Sequence, residues 1–135
     1  TMGSPKCVVP PEVERNPEAR AIFEEQAQAA HRAYERLTEL GIPKEDARFI
    51  LPHGWETSIV VTMNARELLH FFELRLCRRA QWEIQAVARR MLAEVYGLAR
   101  ELFAAAGPPC IEGFCKEHKS CGVPYGNTEE ILEGR

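Results

Sequence analysis

The stretch from Asn64 to Arg75 constrains this chain most, because its pattern suits a helix and little else. Asn64 is a preferred cap, and Glu67 three residues later completes a capping box, each side chain serving free backbone donors of the first turn. At about 100° per residue, Ala65, Leu68, Leu69, Phe72 and Leu76 form one apolar stripe. Arg66, His70, Glu73 and Cys77 share another side. Arg75 falls beside Leu68 and Phe71 at the border of the buried face. A guanidinium there needs a partner, either a carboxylate or a ligand.

The surrounding sequence predicts an α+β, predominantly helical fold: long helices packed with a short strand segment. Residues 1–15 read as an extended leader, with an edge strand conceivable at Cys7-Val8-Val9. Asn16-Pro17-Glu18 starts a helix, because Asn caps, Pro suits the first turn and Glu complements the dipole. Ile22, Ala29, Ala30, Ala33, Leu37 and Leu40 recur along it until Gly41, and His31 reads as a surface residue. A short helix follows from Lys44 to about Leu51, then a β-branched strand from Trp55 to Thr62. From Ala80 a last helix runs to about Ala106, with Ile84, Val87, Met91, Val95, Leu98 and Leu102 forming a seam for helix packing within the chain or across an oligomer. Residues 16–106 thus form the domain, and 107–135 a cysteine-bearing tail without periodicity.

Charge narrows the partners. The net charge of −3 gives no broad footprint for nucleic acid or an anionic membrane. Between Arg66 and Arg90, however, six arginines face three glutamates, a balance that suits a phosphorylated small molecule. The ordinary alternative is that Arg48, Arg66, Arg75, Arg78 and Arg79 pair with nearby carboxylates. No apolar run approaches the roughly 18 residues of a membrane span. The opening Thr1-Met2-Gly3-Ser4 looks like an internal start or an engineering scar. No apolar core follows Lys6, so the five cysteines are expected to be reduced cytosolic thiols or metal ligands. In the tail, Cys110, Cys115, His118 and Cys121 are weak metal candidates, because their spacing matches no strong zinc pattern. Cys7 and Cys77 read as packing residues. No serine or cysteine nucleophile with a matching base is visible, and no Gly-rich phosphate loop is present.

Four short blocks carry a family resemblance: Arg48-Phe49-Ile50-Leu51-Pro52, Thr62-Met63-Asn64-Ala65-Arg66, Leu74-Arg75 and Ala80-Gln81-Trp82-Glu83-Ile84. Their order and separation resemble the carboxy-terminal half of the flavin-dependent thymidylate synthases, over about Val8 to Ala106. The resemblance implies part of that fold, and cytoplasmic reductive methylation of dUMP to dTMP, with methylenetetrahydrofolate as carbon donor and FAD reduced by NADPH. By position, Arg48, Leu74 and Arg75 would bind dUMP, with Arg75 as the catalytic residue that stabilises negative charge on the uracil. Asn64, Arg66 and His70 would contact FAD. Relatives vary at the His70 position, some carrying Asn, and Arg79 stands where His is seen.

The family string Arg-His-Arg-x-x-Ser does not occur in this sequence. Because the family site is shared within a homotetramer, the resemblance implies that another polypeptide would have to supply those residues for turnover. Two other classes compete with this reading. One is a non-catalytic helical oligomerisation or interaction protein that kept the packing seam. The other is a small Cys-rich metal-binding module.

Overall fold

The computed structural model describes residues 6–134, so the reading of Thr1-Met2-Gly3-Ser4 and the start of the leader lie outside it. Its contacts group into two compact units, the first ending at Val60 and the second beginning at Val61.

In the first unit the leader is partly helical rather than extended. Pro11–Glu14 forms one turn, α1, favoured by proline in its first turn and by Glu12 and Glu14 near its positive end. The long helix α2, Pro17–Glu39, begins as the sequence predicts: the Asn16 side chain accepts from Glu18 N at 3.0 Å and Ala19 N at 3.2 Å. It ends before Gly41, whose φ of 83° is the left-handed conformation glycine tolerates best. Lys44–Ala47 makes the short α3, continued by a 3-10 turn at Arg48–Ile50. His31 is not the surface residue expected. Its ring stacks on Trp55, centroids 5.4 Å apart, and its side chain is only 14% exposed.

The expected strand from Trp55 to Thr62 does not form. Its trace is one antiparallel bridge, Cys7 with Trp55, flanked by bonds from Val8 N to Gly54 O and from Glu56 N to Lys6 O. Beyond it the backbone is irregular, and Ile59 and Val60 are 82% and 97% exposed. β-branched side chains favour a strand only where a neighbour takes up the backbone bonds and one face is covered. Among the described residues no such neighbour is present.

The second unit is built on α4, Ala65–Arg75, and α5, Trp82–Leu98. The α4 stripe falls as its periodicity demands: Phe72 and Leu76 are fully buried, with Ala65, Leu68 and Leu69 packed around them. Between the helices Ala80 N closes a turn on Cys77 O, which also accepts from Gln85 Nε2, and the Gln81 side chain caps α5. The single helix expected from Ala80 to Ala106 is instead two. Gly97 weakens the last turn of α5, and Ala99 leaves helical geometry at φ −147°, ψ 60°. A short α6, Arg100–Phe103, follows. This bend seats Phe103 edge-on against Phe72, with centroids 6.1 Å apart. The expected seam shifts with it. Ala88 and Leu92 are the buried α5 residues and Met91 and Val95 flank them, while Val87, Leu98 and Leu102 remain exposed.

The tail is part of this core. A 3-10 turn at Pro109–Glu112 and a final helix α7, Thr128–Leu132, bring Tyr125, Thr128 and Ile131 into burial. Its lack of periodicity reflects burial by isolated side chains rather than looseness.

Candidate functional site

Helix α4 places most of the candidate residues. Asn64 Oδ1 accepts from Glu67 N at 2.9 Å, fixing the first turn. The reciprocal bond from the Glu67 side chain to Asn64 N does not form among the described residues, so half of the expected capping box is present. Two turns of α4 then present Arg66 and His70 to one side. Both line a cleft of about 400 Å³, as the shared helical face predicts.

The opposite wall of that cleft comes from the tail, which the sequence did not mark as functional. Ile111, Phe114 and Lys116 face Arg66, Leu69 and His70 there, with Glu73 and Glu112 as its carboxylates. Lys116 Nζ lies 2.6 Å from Glu73 Oε1, and His70 Nδ1 lies 3.9 Å from Glu73 Oε2. The Lys116 hydrogen bond holds the Glu73 carboxyl below the usual carboxylate range, partial burial opposing it and His70 adding to it. The cleft therefore offers two fixed cations, a titratable imidazole, and an apolar wall edged by an aromatic ring. Gly107-Pro108-Pro109, which turns the chain back toward α4, was the one available signal that the tail returns to this face.

The arginines divide by role. Arg75 is exposed at the end of α4 and makes no hydrogen bond or ion pair among the described residues. The expectation of a half-buried guanidinium fails because the α4 stripe is narrower than the border assumed for it. Leu74 beside it is half exposed and lines a second, smaller cavity. Arg48 lies on the 3-10 turn of the first unit, exposed and likewise without such a bond. Arg79 is structural: its Nη1 donates to Lys119 O at 2.8 Å and its Nε lies 3.8 Å from Glu117. The Arg78 guanidinium lies over the Tyr125 ring, 3.9 Å from its centroid.

Cys110, Cys115 and Cys121 line the smaller cavity, about 80 Å³, and Cys77 joins them from the end of α4. Cys77 is thus more than the packing residue expected, while His118 is not among the lining residues. Among the described residues no three His, Cys, Asp or Glu groups are arranged to hold a metal ion, which removes the support for a metal-binding module.

A helical unit with a cationic, aromatic-edged cleft beside an exposed arginine defines a binder of anionic, ring-bearing ligands. Comparison with known proteins gives that class a family. The family model described as "Thymidylate synthase complementing protein" matches residues 1–99. The flavin-dependent thymidylate synthase of Geobacter sulfurreducens is 52% identical over 124 residues, covering 92% of this chain and 52% of the relative. Those of Sulfolobus acidocaldarius (49% over 130 residues; 95% of this chain, 49% of the relative) and Pyrococcus horikoshii (56% over 87; 60% and 35%) are similar in the same way. The chain belongs to this family. It spans about half the length of the curated relatives it matches.

Proposed function

We propose that this chain contributes part of a flavin-dependent thymidylate synthase site, converting dUMP to dTMP with methylenetetrahydrofolate, FAD and NADPH. The observation that carries the reading is the convergence of Arg66 and His70 on one cleft, at two positions where the family contacts flavin. The residues present fit such a group. Arg66 and Lys116 suit a pyrophosphate, and Leu69, Ile111 and Phe114 offer apolar surface to a ring. When FAD is bound it supplies the hydride, and the one-carbon unit comes from methylenetetrahydrofolate. The protein's own work is positioning and charge stabilisation.

In this reading Arg75 is the catalytic residue. An exposed guanidinium that no carboxylate neutralises can bind dUMP and stabilise negative charge as it develops on the uracil. Leu74 contributes contact beside it, and Arg48 is a second dUMP-binding arginine. Asn64 adds a flavin contact to its capping task. The Arg-His-Arg-x-x-Ser residues would come from another polypeptide, within a homotetramer. The exposed Val87, Leu98 and Leu102 support assembly, since apolar side chains this open favour a covering partner. No helix among the described residues is long and apolar enough to cross a membrane. The proposal places the reaction in the cytoplasm.

The test is to purify the chain with a polypeptide carrying the Arg-His-Arg-x-x-Ser block, then record flavin absorbance and the change in melting temperature with dUMP. Retained flavin and a rise in melting temperature are expected, with Arg66→Ala losing flavin at least tenfold more readily. Absence of both signals from the complemented protein overturns the proposal.

A further inference from the structure

Four of the five cysteines line one small cavity, and the function proposed above uses none of them. Cys77 and Cys110 are half-buried, whereas Cys115 and Cys121 are exposed. The exposed two lie on one segment without regular secondary structure, six positions apart, so the backbone between them can close. The segment is also held in place. Lys116 reaches Glu73, and Arg79 takes the carbonyl of Lys119. These anchors keep both ends of the segment beside the same cavity. Arg78, Arg79 and Lys116 outnumber Glu73 and Glu117 around it, the electropositive and partly open setting in which thiolates react. Cys7 makes the contrast. Burial, with Glu56 adding to it, pushes that thiol's pKa up and away from reactivity.

Because no three such groups are arranged to hold a metal, the cavity suits pairwise thiol chemistry. We propose that Cys115 and Cys121 form a reversible dithiol–disulfide pair that exchanges with low-molecular-weight disulfides. One cysteine, as thiolate, attacks a sulfur of the small disulfide, and the first small thiol leaves. The other then loses its proton and attacks the mixed disulfide, releasing the second small thiol. Two electrons pass from the chain to the small disulfide, and a Cys115–Cys121 bond replaces two S–H bonds. Glu73, Pro108, Pro109 and Lys116 line this cavity and also the larger cleft, so the bond would fasten a wall that the two share.

The test treats the full chain with oxidised glutathione and reads intact mass, free-thiol count and a non-reducing peptide map. The expected product has lost two free thiols, carries no glutathione, contains a Cys115–Cys121 peptide pair and is restored by dithiothreitol. Cys115→Ser and Cys121→Ser should each stop at a single glutathione adduct, while Cys77→Ser and Cys110→Ser still close the bond. A wild-type product bearing stable glutathione, or a disulfide that includes Cys77 or Cys110, would overturn the assignment. Both serine substitutions fall at exposed positions, so loss of the fold does not obscure the result.

Discussion

The Lys116 ammonium lies 2.6 Å from the Glu73 carboxylate, joining the tail to the middle of α4 across 43 positions of sequence. Glu73 is about a third exposed and Lys116 more so, which limits the contact to about 0.5 kcal/mol. The Glu73 pKa is lowered on folding, chiefly by the Lys116 hydrogen bond. Its contribution is therefore complete above the unfolded carboxylate value of about 4.3 and is lost as pH falls through the lower folded value. Lys116→Ala should lower the urea midpoint slightly at neutral pH, and the gap from wild type should close under acid. A gap that persists at pH values well below 4 would mean that Lys116 acts through packing instead.

Asn64 is assigned two tasks that one pair of substitutions separates. Asn64→Ala removes the acceptor for Glu67 N and should destabilise the second unit by about 1 kcal/mol. Asn64→Asp keeps that acceptor and should leave stability near wild type, while losing the amide donor available to flavin. Chemical denaturation reads the first effect and flavin retention the second. Equal flavin retention in all three proteins would confine Asn64 to its cap.

The parts of this fold that were legible in the sequence are those whose signals are local. Asn16 and Asn64 caps, the Gly41 stop and the Phe72/Leu76 stripe depend on residues within a turn or two, and each stands where its pattern put it. The α4–α5 break was illegible because neither glycine nor proline marks it, and its cap is Gln81, an uncommon capping residue. The α5–α6 break was hidden for a different reason. Leu98 and Leu102 continue the helical spacing although the helix ends between them, and both are exposed. The Trp55–Thr62 segment misled because β-branched composition reports a preference that only a neighbouring strand can realise. At the cleft, Arg66 and His70 were readable from one helical face, whereas Lys116 and Phe114 reach it by a return of the tail that no spacing encodes.

Phe72 is the centre of the second unit, fully buried and edge-on to both Phe71 and Phe103. Phe72→Ala should cost about 3–5 kcal/mol, since truncating a buried aromatic loses its transfer energy and leaves a cavity. Phe72→Leu should cost clearly less. Thermal melts of the two variants check the order, and a loss below about 1 kcal/mol for alanine would show that this core is not close-packed.

Arg75 supports the opposite expectation. Its side chain is exposed and makes no bond among the described residues, so Arg75→Ala should change stability by less than about 0.5 kcal/mol. In the complemented enzyme the same substitution should weaken dUMP binding at least tenfold and abolish turnover. Arg75→Lys should recover little of either, because a single ammonium cannot reproduce a planar fork of donors. Unchanged dUMP binding in Arg75→Ala would remove this residue from the site.

The tail is expected to be indispensable to the second unit. The Thr128 hydroxyl is buried and lies within hydrogen-bond distance of two carbonyls, Ala104 O at 2.9 Å and Ala106 O at 3.0 Å. It thereby ties the start of α7 to the end of α6. Thr128→Val keeps the shape but leaves those buried carbonyls without the hydroxyl, at a cost of about 1–3 kcal/mol. Ending the chain at Ala106 removes Tyr125 and Ile131 as well, and opens the covered side of Phe103 and Ala106. Hydrogen exchange should then show α5 losing most of its protection while α2, in the other unit, keeps its own. Full protection of α5 in the shortened chain would mean that α4 and α5 form a stable core without the tail.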